Sequence, residues 1–139
     1  MTKQMIVMRK DLNMRKGKMI AQGAHSSVAV LLNQGNIFHP VSITPWGGTE
    51  VRESQFILDL TPALKEWITG LFTKICVSVD SEEELMAVYN KAKDSGLLCA
   101  LITDCGLTEF NGVPTKTCCA IGPASDEELQ PITGHLKLL

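Results

Sequence analysis

The chain has 139 residues, of which 45% are hydrophobic and 20% charged, and its formal net charge at pH 7 is −2. This length and composition predict one domain with its own core, and no apolar run approaches the roughly 20 residues of a membrane-spanning helix. The pI near 5.9 gives no overall case for nucleic-acid binding, so any such case depends on local charge. The N-terminus lacks a signal-peptide pattern, which predicts a cytoplasmic protein.

The first two predicted elements are a buried strand and a basic helix. Residues 3–9 contain the apolar run Met5–Met8 and predict the strand, and residues 15–33 predict the helix. Between Met1 and Lys18 there are six cations and one acid, a local charge of +5. Cations at a helix N-terminus cost free energy unless an anion binds there. The segment is therefore either an anion-binding surface or a solvated basic rim.

Helical spacing divides the first helix into two faces. At about 100° per residue, Lys18, Gln22 and His25 fall on one stripe. The opposite face is apolar and is predicted to lie on the sheet; it consists of Ile20, Ala24, Val28 and Leu31. The prediction is a packed helix that carries an ammonium, an amide and an imidazole on its free side.

Residues 34–60 have no sustained periodicity and are interrupted by prolines and a Gly-Gly pair. Residues 55–58 suit either a short strand or a turn of helix. Trp46 is expected to plug the edge of the core, because tryptophan is usually buried, and an exposed stacking role is the alternative.

The second half of the chain alternates helices and strands with clear boundaries. Thr61-Pro62 is a helix start, and the pairs Ser81 with Glu84 and Ser125 with Glu128 are capping boxes. The apolar tail 136–139 suits an added strand, core packing or a partner contact. The predicted helices span 62–69 and 81–94 and begin at 125, and the predicted strands span 71–79, 97–103 and 115–122.

This element order predicts an α/β fold: a single three-layer domain over residues 1–139, with helices on both faces of a small mixed, mostly parallel four-stranded sheet. No helix separates the third and fourth strands, so one of them should run antiparallel. The five cysteines are odd in number and have no Cys-x-x-Cys spacing, which predicts reduced, buried thiols and no metal site. They are Cys76, Cys99, Cys105, Cys118 and Cys119.

Polar side chains follow the first and third predicted strands. Open α/β sheets bind ligands at the carboxyl ends of their parallel strands. If these two strands are parallel neighbours, Lys18 and Asp104 meet at one edge, with Thr108 in the next loop, where they would bind a carbonyl and position water. The alternative for Asp104 is a turn-capping role, and the alternative for Thr108 is an ordinary loop hydroxyl. For His25 the favoured interpretation is structural: a helix histidine that is hydrogen-bonded to a neighbouring backbone group. For Gln22 the sequence does not distinguish a role in the site from a structural role.

Four collinear stretches resemble the archaeal/eukaryotic-type peptidyl-tRNA hydrolases, the second of two unrelated families with that activity. Together they cover most of the chain outside residues 34–60, which the resemblance identifies as an insertion relative to compact members. The stretches are Asp11–His25, Val79–Leu85, Leu101–Glu109, and Ala120–Ala124 with the tail Ile132–Leu139.

The resemblance implies a cytoplasmic homodimer that hydrolyses the ester between a peptide and the 3′ end of tRNA, without a metal or other cofactor. The catalytic residues it implies are Lys18, Gln22, Asp104 and Thr108. His25 and Lys16 are supporting substrate-binding positions. In the mechanism that we expect, tRNA phosphates are held by Arg9, Lys10, Arg15 and Lys16.

One departure from the family pattern is Leu107, which stands where the family usually has arginine. Because this removes a cation beside the site, two alternative functions stay open. The first is a non-catalytic RNA- or protein-binding module on the same scaffold. The second is a hydrolase of a different small ester or amide.

Overall fold

The computed structural model describes residues 1–51 and 53–139. Within these residues the helices are α1 (Lys16–Leu32), α2 (Pro62–Thr69), α3 (Glu82–Asp94) and α4 (Asp126–Thr133). The strands are β1 (Thr2–Arg9), β2 (Asn36–Phe38), β3 (Val41–Ile43), β4 (Thr49–Val51), β5 (Gln55–Ile57), β6 (Lys74–Val79), β7 (Cys99–Asp104), β8 (Thr115–Ser125) and β9 (Lys137–Leu138). Among the described residues, no helix combines the length and the apolarity needed to cross a bilayer.

The main sheet has the strand order β7-β8-β1-β6-β9. Only the β1–β6 pair is parallel, whereas β8 runs antiparallel to both β1 and β7, and β9 runs antiparallel to β6. The mixed α/β domain is confirmed, but the prediction of a mostly parallel four-stranded sheet is wrong. The reason is that β8 inserts between β1 and β7, and the C-terminal tail adds a fifth strand. The expectation of an antiparallel strand after β7 is confirmed.

The two sides of β1 contact different helices, so the sheet carries helices on both faces as predicted. Met5 and Val7 belong to a cluster with Leu85 of α3 and Leu129 of α4. The neighbouring side chains of Ile6 and Met8 face the other way and pack with residues at the start of α1. This alternation is the period-2 pattern of a strand buried on both faces.

Helix starts follow the capping signals in the sequence. The Thr61 hydroxyl accepts a hydrogen bond from Leu64 N at 3.2 Å, and the Ser81 hydroxyl accepts one from Glu84 N at 3.1 Å. At Ser125 both halves of the capping box form, whereas the predicted box at Ser81 is half formed, because the Glu84 carboxylate accepts from Asp80 N instead of Ser81 N. Each cap satisfies a backbone donor that the helix itself cannot pair, which is why these boundaries agree with prediction.

The predicted orientation of α1 is wrong. Its buried side consists of small and polar residues, whereas Ile20 is 73% and Val28 50% exposed. A Cβ added at Gly23 would lie 3.8 Å from both Ile6 and Met8, an ordinary contact distance, so α1 packs on the sheet through this small residue without requiring glycine there. The buried residues are Gln22, Gly23, Ser26, Ser27 and Val30. Hydrophobic periodicity identified two faces but not which of them the sheet covers.

Between α1 and α2 the chain forms two antiparallel ribbons, β2 with β5 and β3 with β4. We call residues 36–51 and 53–57 the arm. Residues 55–57 are a strand, which selects one of the two predicted alternatives. Trp46, in the turn between β3 and β4, is 94% exposed, so the prediction that it plugs the core is wrong. The buried tryptophan is Trp67 on α2.

The cysteines are all free, but they are not all buried. Cys118 and Cys119 lie in the core on β8, Cys99 is half-buried, and Cys76 and Cys105 are exposed. The prediction of buried thiols is therefore right for Cys118 and Cys119 and wrong for Cys76 and Cys105, although Cys76 also lies on an interior strand of the sheet, β6.

Candidate active site

The site forms where the carboxyl ends of β1 and β7 meet the first turn of α1. These two strands point in the same direction because each is antiparallel to β8, which lies between them. The Lys18 ammonium donates a hydrogen bond to Asp104 Oδ1 at 2.8 Å. The predicted meeting of these side chains therefore occurs, although their strands are not neighbours.

The Lys18 ammonium is held by more than one partner. It donates a second hydrogen bond to Thr108 Oγ1 at 2.9 Å, and it lies 5.7 Å from the centre of the Phe110 ring. The Lys18 side chain is 14% exposed and that of Asp104 is 10% exposed. A partly covered cation at an open edge is suited to stabilising negative charge that develops on a bound substrate.

Asp104 accepts hydrogen bonds on both of its oxygens. Gln22 Nε2 donates to Oδ1 at 3.3 Å, and the backbone N–H of Gly106 donates to Oδ2 at 2.9 Å. The Lys18 ammonium, together with these donors, lowers the pKa of the Asp104 carboxyl below its ordinary value, and this effect outweighs burial, which raises it. Asp104 is therefore an ionised carboxylate at neutral pH and a weak base.

The loop after β7 requires a glycine at position 106. Gly106 has a φ of +83°, and a Cβ there would lie 2.3 Å from the backbone oxygen of Val113. The carbonyl of Gly106 also accepts a hydrogen bond from Gly112 N at 2.8 Å, which closes the loop that carries Thr108. Only a residue without a Cβ fits this turn and presents its N–H to Asp104.

Thr117 also belongs to the site, although no pattern in the sequence indicates it. Its hydroxyl donates to Gln22 Oε1, and both side chains are buried. This contact turns the amide so that Gln22 Nε2 faces Asp104. Strand alternation alone would place Thr117 and Cys118 on opposite faces, but the pairing of β7 with β8 shifts register here and leaves Thr117 as an extra residue. Such a bulge redirects a side chain, and nothing in the local sequence marks it.

The basic residues near the site differ in how many of their donors are occupied. Arg9 binds both Asp11 oxygens and the Lys116 carbonyl, and its side chain is 11% exposed. Arg15 uses only Nε, which bonds Glu109 at 2.8 Å, and its side chain is 79% exposed. The guanidinium of Arg15 is therefore presented to solvent, whereas that of Arg9 is committed to the protein.

Other predicted positions lie on the surface around this cluster. Lys10, Lys16 and His25 are exposed, and Leu107 is exposed beside Thr108. Among the described residues, no group of three His, Cys, Asp or Glu side chains is close enough to hold a metal ion. The structure thus brings together Lys18, Gln22, Asp104 and Thr108, and it leaves His25 outside their hydrogen-bond network.

The fold is a small mixed α/β domain with a polar cluster at one edge of its sheet, and comparison with known sequences identifies its family. The sequence profile described as peptidyl-tRNA hydrolase PTH2 matches residues 2–139. The chain belongs to this family.

Relatives named peptidyl-tRNA hydrolase align along almost the whole chain. The protein from Methanocaldococcus jannaschii is 39% identical over 137 residues, covering 99% of each chain. The protein from Sulfolobus acidocaldarius is 35% identical with the same coverage. A solved structure of a protein of unknown function from Agrobacterium tumefaciens strain C58 covers 99% of this chain and 97% of its own, with a TM-score of 0.54 and 11% identity. That likeness concerns the fold alone.

Proposed function

We propose that this chain hydrolyses the ester bond between a peptide and the 3′ end of tRNA. Family membership supports the reaction, and one structural observation carries the assignment to a site. The Lys18 ammonium is fixed between Asp104 and Thr108 at the open carboxyl edge of the sheet, next to the basic N-terminal segment. An ester carbonyl that enters this edge meets a preorganised cation.

In this proposal the four clustered side chains divide the work. Lys18 stabilises the negative charge that develops on the carbonyl or ribose oxygen. Asp104 fixes Lys18 and orients the attacking water. Its lowered pKa supports orientation over proton abstraction, because a carboxylate with a low pKa is a poor base at neutral pH. Thr108 and Gln22 place the substrate by hydrogen bonds.

The proposed tRNA contacts come from the exposed cations beside the site. Lys10, Arg15 and Lys16 hold phosphates, and His25 extends the polar surface along α1. Arg9 was predicted to belong to this set, but its occupied donors favour a supporting role, in which it fixes the segment that carries Lys10. Phosphate binding of this kind weakens steeply as salt concentration rises.

We also propose that the protein is a cytoplasmic homodimer. An apolar groove of about 630 Å³ runs along the exposed side of α1 and across β1 and β6. A continuous apolar surface of this kind is typical of a face that another protein chain covers. The exposed Ile20 and Val28 line this groove, so a second copy would bury the side of α1 that the sheet does not.

The test is release of an N-acetylated aminoacyl group from tRNA by the purified protein, with EDTA present. We expect hydrolysis of the blocked substrate and a loss of about 10²- to 10³-fold in kcat/KM for Asp104→Asn, since Lys18 then loses its counter-charge. Asp94→Asn makes the same chemical change at an exposed position on α3 and should leave the rate unchanged. Binding of tRNA without release of the acyl group would refute the proposal in favour of a binding module.

A further inference from the structure

The arm presents a large apolar surface that the rest of the chain does not cover. Ile43 is 82% exposed and Trp46 94% exposed, and both lie at its outer end. Its other exposed apolar side chains are Ile37, Phe38, Val41, Phe56 and Ile57. Two-stranded ribbons are marginally stable in water by themselves, and exposed apolar patches of this kind mark contact surfaces.

The charge of the arm argues against RNA as the occupant. The sequence of residues 36–57 contains two acidic residues, Glu50 and Glu53, against one arginine, Arg52, no lysine and one histidine, His39, so it has no excess of cations. Nucleic-acid surfaces need clustered lysine and arginine, because phosphate neutralisation dominates their affinity. An apolar, acidic arm instead suits an apolar protein surface with a cation on it.

The groove along α1 has that chemistry. It is lined by Ile20, Val28 and Leu31 on the helix side and by Phe72 and Leu139 on the other side. Lys74 also lines it, with its ammonium 3.2 Å from the centre of the Phe72 ring. The Lys74 ammonium donates a hydrogen bond to the Phe72 carbonyl at 3.0 Å, but the salt bridges of the described residues do not include it. Desolvation lowers the pKa of this ammonium, so a carboxylate placed beside it would stabilise the charged form.

The dimensions of the arm and the groove agree. The outgoing side of the arm, residues 36–43, reaches roughly 26 Å if straight at 3.3 Å per residue. The 17 residues of α1 that form the helix wall of the groove extend about 26 Å. The arm follows α1 directly in the chain, and in a two-fold dimer an arm–groove contact is made twice, because the two copies exchange equivalent surfaces.

From these observations we infer that the arm of each chain docks in the α1 groove of a second copy, with Trp46 buried and the arm carboxylates beside Lys74. This inference rests on the homodimer proposed above. It adds to that proposal which surfaces meet, and it makes the contact reciprocal, because each copy contributes an arm and receives one.

The oligomeric state and the environment of Trp46 test the inference on the full chain. Sedimentation velocity over a dilution series should show a dimer that dissociates. Acrylamide quenching of tryptophan emission should show an indole that is shielded in the dimer and exposed in the monomer. The Trp46→Phe variant retains only Trp67, which is buried within its own chain, so the emission that differs between this variant and the wild type comes from Trp46.

Two substitutions separate the arm from the groove. Ile43→Asp on the arm and Val28→Asp in the groove should each raise the dimer dissociation constant by more than about tenfold. Val113→Asp, an exposed apolar position outside both surfaces, is the matched control and should change it little. An equimolar mixture of the two defective variants should recover part of the dimer, since one intact arm then meets one intact groove.

The outcomes distinguish this inference from the homodimer on which it depends. A monomer at every concentration overturns both, while leaving the hydrolase proposal intact. A dimer in which Trp46 stays exposed and Ile43→Asp has no effect keeps the homodimer and overturns the docked arm. Shielding of Trp46 in a monomer places the arm on its own groove and also overturns the inference.

Discussion

The hydroxyl of Thr117 offers a sharp test of how the site is held together. Thr117→Val keeps the shape of the side chain and removes the donor that binds Gln22 Oε1. Both residues are buried, so the amide oxygen loses its partner where water does not replace it. Leaving one buried polar group unpaired costs about 1–3 kcal/mol, and we expect the free energy of unfolding to fall by that amount.

The effect on catalysis follows from the freed amide. Without Thr117 to orient it, Gln22 no longer keeps Nε2 on Asp104, and a hydrogen bond to a charged group contributes about 1.5–3 kcal/mol. If that bond acts in the transition state, kcat/KM falls by roughly 10- to 150-fold. Urea denaturation measures the first quantity, and hydrolysis of N-acetyl-aminoacyl-tRNA measures the second.

A matched control and a double variant test whether the Thr117 hydroxyl positions Gln22. Thr103→Val makes the same change at an exposed position of β7 and should alter neither quantity. Gln22→Leu combined with Thr117→Val should be little worse than Gln22→Leu alone, because both partners of the buried contact are then removed together. A Thr117→Val variant with wild-type stability and rate would show that the bulge does not position Gln22.

Three further predictions concern the surroundings of this contact. Because the pKa of Asp104 is lowered, its carboxylate is charged at neutral pH. Its contribution to stability is fully present above the unfolded-state carboxyl pKa and is lost as the pH falls from there through the lowered folded-state pKa. Lys18→Ala should therefore move the Asp104 transition upward in a carboxyl NMR titration. Arg15→Ala should reduce the slope of log KM against log salt by about 0.7–0.9, the value of one phosphate contact, whereas Arg9→Ala should chiefly lower the melting temperature. Gly106→Ala should reduce both kcat/KM and stability, seen by activity assay and thermal denaturation, because the added Cβ would overlap the Val113 carbonyl.

Local signals in the sequence determined the features that depend on a few neighbouring residues. The caps at Thr61, Ser81 and Ser125 satisfy donors within one helical turn, so the three helix starts followed from residue type and spacing. The pairing of Lys18 with Asp104 also followed, because residues that end strands of the same direction share one edge of a sheet.

Tertiary structure decided everything that depends on which surfaces meet. The position of β8 between β1 and β7 made the sheet mostly antiparallel, and strand order depends on contacts far apart in sequence. The buried hydrogen bond from Ser27 to Gln4 favours the observed orientation of α1, which is opposite to its apolar periodicity. The bulge at Thr117 arises from a register shift between two strands, so only the folded sheet places that hydroxyl in the site.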